Sequence, residues 1–162
     1  MTVGGRSKGF SLLEILISVL LVGLSITALV IANSSFTTAN ATGADISTGE
    51  FLIEQIRELT AMLPVMDPST TNPSFGLEEA TLAAYDDIDD FDGMTFSPPI
   101  GTNRTALNNL ATFSQQVIVQ NVSASSFSTV VADGSSDFVR VTVTVSINGS
   151  TIGSASWIRA RY

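Results

Sequence analysis

The longest apolar segment of the chain runs from Phe10 to Ala32 and contains a single charged side chain, Glu14. Its roughly 23 residues would form about 34 Å of α-helix, which is enough to cross a bilayer core about 30 Å thick. An ionised carboxylate inside a membrane costs on the order of a few kcal/mol if it has no partner. The pattern therefore predicts a transmembrane helix over 10–32 and leaves the charge of Glu14 to be explained.

A second helical pattern follows, after a stretch of poor helix formers at 33–43. Ser47 and Glu50 have the spacing of a capping box, at which a helix could begin again. One apolar helix face is then formed by Leu52, Ile56, Leu59 and Leu63. We expect an amphipathic continuation of the helix over 33–63, ended by Pro64, because the residue before a proline is disfavoured in helical conformation.

The C-terminal part alternates apolar and polar residues with period two, as a strand buried on one face does. Valine or isoleucine occupies every odd position from 139 to 147, and arginine or a hydroxylated residue occupies the even ones between them. Asn148-Gly149 is a type I′ turn signal, so Ile147 should pair with Ser150. With shorter β-rich runs at 116–119 and 127–131, the pattern predicts an antiparallel sheet over 115–162.

The register of the predicted hairpin follows from counting back from its turn. It pairs Val145 with Ile152 and Val139 with Ile158, and these pairs would face the helix. It also pairs Arg140 with Trp157 on the opposite face, where the guanidinium could lie over the indole. The elements together predict an α+β fold in which a long N-terminal helix packs on a C-terminal antiparallel sheet.

All five prolines lie between residues 64 and 99, which predicts an irregular region over 64–114. Its centre carries five carboxylates within seven residues, at Asp86, Asp87, Asp89, Asp90 and Asp92. Carboxylates this close repel one another unless water or a cation separates them. An EF-hand is excluded, because Ile88 and Pro99 stand at its first and last ligand positions. Two interpretations stay open: a solvated acidic loop, or a looser calcium site formed by these five residues. No other cofactor is expected.

Composition excludes several classes of function. The chain has 7 basic and 15 acidic residues, a net charge of −8, and the arginines beyond position 9 are dispersed, so we expect no nucleic-acid partner. It has no His and no Cys, which removes His-based triads, thiol nucleophiles, the usual zinc ligands and disulfides. A carboxylate pair for glycoside hydrolysis would need a framed cleft that a proline-flanked loop does not indicate. We therefore expect no enzyme.

The residues at the start of the apolar segment form a specific motif, Lys8-Gly9-Phe10-Ser11-Leu12-Leu13-Glu14, preceded by Arg6. It resembles the class III signal of type IV pilins and of the pseudopilins of type II secretion. The resemblance implies that a prepilin peptidase cleaves after Gly9 and that the new amine of Phe10 is methylated. It also implies that Glu14 pairs with the Phe10 amine of a neighbouring subunit.

The resemblance also predicts where the chain works. The leader, residues 1–9, would stay in the cytoplasm, with a single pass of the inner membrane and the C-terminal domain outside, in agreement with the positive-inside bias. The chain would be a structural subunit, expected to be a minor one, of a periplasmic or extracellular filament built with other pilin or pseudopilin subunits. A weaker resemblance to loops of minor subunits lies in Phe75-Gly76-x-Glu78, the acidic string and Pro98-Pro99.

Other interpretations of the N-terminus explain less. An ordinary secretory signal cleaved after Val30-Ile31-Ala32, or a plain signal anchor, leaves Glu14 unexplained. A lipoprotein is excluded because there is no cysteine to acylate. The alternative function is a membrane-anchored or filament-tip adhesin whose ligand contacts Trp157 or the acidic loop. A secreted hydrolase is the weakest hypothesis.

Overall fold

A computed structural model describes residues 9–67, 76–77 and 79–161, in which one long helix precedes an antiparallel sheet. The predicted leader, with Arg6 and Lys8, lies outside the described residues except for Gly9. The chain divides into two units, Met1–Gly43 and Ala44–Tyr162. Helix α1, Leu12–Ala61, contributes residues to both.

In the first unit, α1 exposes its apolar side chains on all sides. Every large apolar residue from Phe10 to Phe36 is exposed, and the exposed fraction of Phe10 is 77%. The most apolar part of α1 has a mean hydropathy of 2.8 and is long enough to cross a membrane. Exposing so much contiguous apolar surface to water is unfavourable, so this part of the helix needs lipid or other apolar helices around it.

The polar stretch at 33–43 does not interrupt the helix. Four of its hydroxyl groups donate to the carbonyl oxygens four residues earlier, as do three in the apolar segment and that of Thr48 further along. These donors are Ser18, Ser25, Thr27, Ser35, Thr37, Thr38, Thr42 and Thr48. The helix therefore does not begin again at Ser47 and Glu50, and it ends at Ala61, three residues before Pro64.

The second unit contains a five-stranded antiparallel sheet. The strands are β1 (Thr95–Phe96), β2 (Phe113–Ser123), β3 (Ser126–Val130), β4 (Phe138–Ile147) and β5 (Ser150–Ala160). The order is β1-β2-β4-β5, and β3 pairs with the far end of β2. The sheet thus starts earlier than the predicted 115–162, because β1 lies in the stretch predicted to be irregular. Short 3₁₀ turns occupy Asp89–Phe91 and Asn108–Leu110.

The core lies between the sheet and the last turns of α1. Leu52 and Ile56 are fully buried and Leu59 packs at its edge, so the predicted apolar face is confirmed for these three residues. Leu63 also packs there, but it lies beyond the end of α1. On β4, the odd-numbered valines from 139 to 145 are fully buried, as the period-two pattern predicts. The α+β prediction is therefore confirmed.

The β4–β5 hairpin has the predicted turn and a different register. Asn148 and Gly149 both have positive φ, 49° and 81°, and Ile147 pairs with Ser150. Two residues after Ser150, Ile152 has no partner on β4, and this extra residue forms a bulge in β5. The predicted pairs are therefore each wrong by one residue. The observed partners are Gly153 for Val145, Arg159 for Val139 and Ile158 for Arg140.

Because side chains alternate along a strand, this shift moves Trp157 to the helix side of the sheet. Trp157 pairs with the buried Val141 and is itself partly buried. The cation over its indole is Arg57 of α1, 4.9 Å from the ring centroid, and not Arg140 as predicted. Trp157 thus belongs to the contact between helix and sheet.

Candidate functional site

The acidic loop is largely buried, so the expectation of a solvated loop is wrong. Asp87, Asp89 and Asp90 are at most 1% exposed, whereas Asp86 is exposed and Asp92 is partly buried. The reason lies in the apolar residues between them. Tyr85, Ile88 and Phe91 are buried, and the rings of Tyr85 and Phe91 meet edge to face at 5.1 Å. Anchoring these side chains in the core carries the neighbouring carboxylates inside.

Hydrogen bonds within the loop use some of the carboxylate oxygens. Asp90 Oδ2 accepts from the backbone N–H groups of Asp86 at 2.9 Å and Asp87 at 3.4 Å. Asp87 Oδ1 accepts from the N–H of Asp90 at 3.1 Å. Asp92 Oδ1 accepts from the N–H of Val119 on β2 at 2.7 Å. Asp92 therefore joins the loop to the sheet.

The carboxylates that meet are not the set predicted from the sequence. Glu79, Asp86 and Asp90 each offer one oxygen, and these oxygens lie within 4.8 Å of one another. Glu79 was missed because it precedes the acidic string along the chain, and only the folded loop brings it beside Asp90. Asp87, Asp89 and Asp92 are outside this three-carboxylate cluster.

The electrostatics of the cluster reflect its crowding. A proton shared with Asp90, together with burial and the charges of Asp90 and Asp86, raises the pKa of Glu79 from 4.5 to about 7. Burial is the main cause that raises the pKa of Asp87. Apart from such a shared proton, no donor among the described residues reaches Glu79 Oε2 or Asp90 Oδ1, which are both buried.

The residues around the predicted cleavage point are exposed and precede the helix. Gly9 and Phe10 are not helical, and α1 begins at Leu12. Ser11 is its N-cap, since Ser11 Oγ accepts from the N–H of Glu14 at 3.2 Å. The Ser-x-x-Glu spacing is the sequence signal that would have predicted this cap.

Glu14 lies in the first turn of α1, where a negative charge is stabilised by the helix dipole. Its side chain is exposed, and among the described residues no hydrogen bond or ion pair to its carboxylate is present. The chain itself therefore leaves the charge of Glu14 without a protein partner in the part that the structure describes.

Residues 4–30 match the family model of the prokaryotic N-terminal methylation motif. The N-terminus is a prepilin-type signal. The match includes Gly9, Phe10 and Glu14 and ends within α1. No curated protein and no solved structure matches the chain. Beyond the signal, the chain therefore resembles pilins only in its arrangement, in which a long apolar helix is followed by an antiparallel sheet packed on the last turns of that helix.

The prepilin-type signal gives the N-terminal features one explanation. The signal supports processing of the chain by prepilin peptidase, as for type IV pilins and pseudopilins, and such a motif implies assembly with other pilins. The exposed apolar surface of α1 fits anchoring in the inner membrane.

Proposed function

We propose that this protein is a structural subunit of a type IV pilus-like or type II secretion-like filament. The prepilin peptidase removes residues 1–9, the amine of Phe10 is methylated, and the subunit enters a filament of other pilins or pseudopilins in the periplasm or outside the cell. The observation that carries the proposal is the prepilin-type signal together with the carboxylate of Glu14, which has no partner among the described residues.

The apolar part of α1 supports assembly for a physical reason. A subunit leaving the membrane exchanges lipid for the apolar helices of its neighbours, so its exposed apolar surface stays covered in both states. Inside such a bundle a carboxylate needs a cation, and the Phe10 amine exists only after cleavage. Cleavage therefore creates the partner that Glu14 lacks.

The processing step is tested on the full-length chain expressed with a prepilin peptidase. The N-terminal peptide, identified by mass spectrometry, should begin at a methylated Phe10. The Gly9→Val variant should keep residues 1–9, whereas Gly5→Val, the same change elsewhere in the leader, should be cleaved normally. A protein that begins at Asn33 or keeps Met1 would show that the signal is not used.

The filament role is tested by shearing cells and analysing the released filaments. We propose that the subunit is a minor one, which the weak loop resemblance around the acidic string supports, so it should be present at a small fraction of the major subunit. No nucleic-acid partner is proposed, because the arginines beyond the leader are dispersed. A protein that stays in the membrane fraction, with no pilin co-purifying, would instead support an anchored binding domain.

The adhesin alternative receives no specific support at Trp157. That side chain packs under Arg57, and the contact occupies one face of its ring. The filament role therefore stays the preferred proposal.

A further inference from the structure

We propose that Glu79, Asp86 and Asp90 bind a divalent cation of the size of calcium. The site lies between the end of α1 and β1, in the unit that contains the sheet. The proposal does not depend on the filament role, since it uses only residues 79–90 of the folded domain.

The distances suit this ion. Calcium binds oxygen at about 2.3–2.6 Å, so two oxygens on opposite sides of one ion are about 4.6–5.2 Å apart. The three candidate oxygens lie within 4.8 Å of one another, inside that limit. Asp86 is exposed and Glu79 is partly exposed, which leaves room for water to complete the six to eight ligands that calcium takes.

A second observation concerns the buried carboxylate of Asp90. The residue is fully buried, and its Oδ2 already accepts from two backbone N–H groups. Its other oxygen, Oδ1, is also buried, and apart from a proton that the carboxylate can share with Glu79, no donor among the described residues reaches it. One oxygen of the same carboxylate belongs to the cluster of three. When Glu79 and Asp90 are both ionised, that shared proton is absent and a buried acceptor is left without a partner, which a bound cation would satisfy.

The described part of the chain contains no cation paired with these three carboxylates. The arginines of the described residues are engaged elsewhere: Arg57 with Glu54, Arg104 with the Leu82 and Ala83 carbonyls, Arg140 with Gln120, Arg159 with the end of α1, and Arg161 with Asp137. Among those residues, no ion pair involves Glu79, Asp86 or Asp90.

The neighbouring aspartates have other roles. Asp87 Oδ1 accepts from the Asp90 N–H, and Asp92 Oδ1 accepts from the Val119 N–H. These contacts shape the turn and attach it to the sheet. The cation set is therefore smaller than the five aspartates expected from the sequence, and it gains Glu79.

The test uses the full-length chain in detergent, stripped with EDTA and titrated with calcium chloride by calorimetry. Extracellular calcium modules have Kd values of about 10⁻⁴–10⁻³ M, so 10 mM calcium should be at least about ten times Kd. Mass action should then raise the melting temperature by roughly 3–8 °C. Glu79→Gln and Asp86→Asn, which change partly or fully exposed side chains, should each lose at least about tenfold in affinity and most of the shift.

Asp133→Asn is the matched control, because Asp133 is an exposed carboxylate outside the cluster. It should keep the wild-type affinity and melting shift. The proposal is overturned if wild-type protein gives no binding heat and no melting shift, or if Glu79→Gln and Asp86→Asn bind calcium as the wild type does. An equal or larger shift with magnesium would overturn the assignment of ion size.

Discussion

Thr60 lies in the last turn of α1, and its carbonyl oxygen accepts a hydrogen bond of 2.7 Å from Nη1 of Arg159 on β5. Its Nη2 donates to the carbonyl oxygen of Leu63 at 3.1 Å. The last carbonyls of a helix have no partner within the helix, and a positive charge there also complements the helix dipole. The last turn of α1 has no basic residue of its own, so the sheet supplies the cation.

Arg159→Met should therefore destabilise the domain by about 1.5–3 kcal/mol, the usual range for hydrogen bonds to a charged group. Unfolding can be followed by the fluorescence of Trp157, the only tryptophan. Arg140→Met is the control, since Arg140 bonds Gln120 and the Phe127 carbonyl away from the helix, and it should cost less than about 1 kcal/mol. Equal losses in the two variants would contradict a special role for the helix end.

Gln115 on β2 joins three segments through its buried amide. Its Oε1 accepts from the Ile100 N–H at 2.7 Å, and its Nε2 donates to the Leu52 carbonyl at 2.8 Å. Gln115→Met should cost about 2–3 kcal/mol, because it leaves the Ile100 N–H buried without an acceptor. Gln116→Met, the same change on the exposed side of the strand, should be close to neutral in the same denaturation measurement.

Asp92 should stabilise the attachment of the acidic loop to β2 and should not be a ligand of the cation. Asp92→Ala removes the acceptor of the Val119 N–H and should cost about 1–2 kcal/mol of stability. Asp92→Asn keeps an oxygen at that position and should restore most of the loss. Calcium affinity, measured by calorimetry, should be unchanged in Asp92→Asn, and a tenfold loss would place Asp92 among the ion's ligands.

Glu14→Ala should be inserted in the membrane and cleaved after Gly9, and yet enter filaments poorly. The reason is that a neighbour's Phe10 amine would lose its counter-charge in an apolar bundle. Glu14→Asp, shorter by one methylene, should be intermediate. Quantitative immunoblotting of sheared filaments and membranes separates these outcomes.

Thr27→Ala is the control for this series, since the Thr27 hydroxyl donates to the Gly23 carbonyl of its own helix. It should enter filaments as the wild type does. Wild-type incorporation of Glu14→Ala would refute the pairing between subunits, whereas its loss from the membrane would indicate a defect of insertion.

The sequence determined the features that depend on neighbours along the chain. The apolar run over 10–32, the signal at Gly9 and Phe10, the helix face at Leu52 and Ile56, and the turn at Asn148-Gly149 are all local patterns. Periodicity and turn chemistry act over a few residues, so they can be read without knowing what the segment packs against.

Tertiary structure decided the features in which distant segments meet. The bulge at Ile152 places its side chain against Gly49, where an added Cβ would lie only 2.9 Å from Ile152 Cδ1. No pattern within β5 encodes that fit to a helix about a hundred residues earlier, and the shift of one residue turned Trp157 and Arg159 toward α1. Likewise, the burial of Phe91 places the neighbouring aspartates in the core, and the folded loop brings Glu79 beside Asp90. Side-chain packing depends on the whole core, so a local pattern does not predict it.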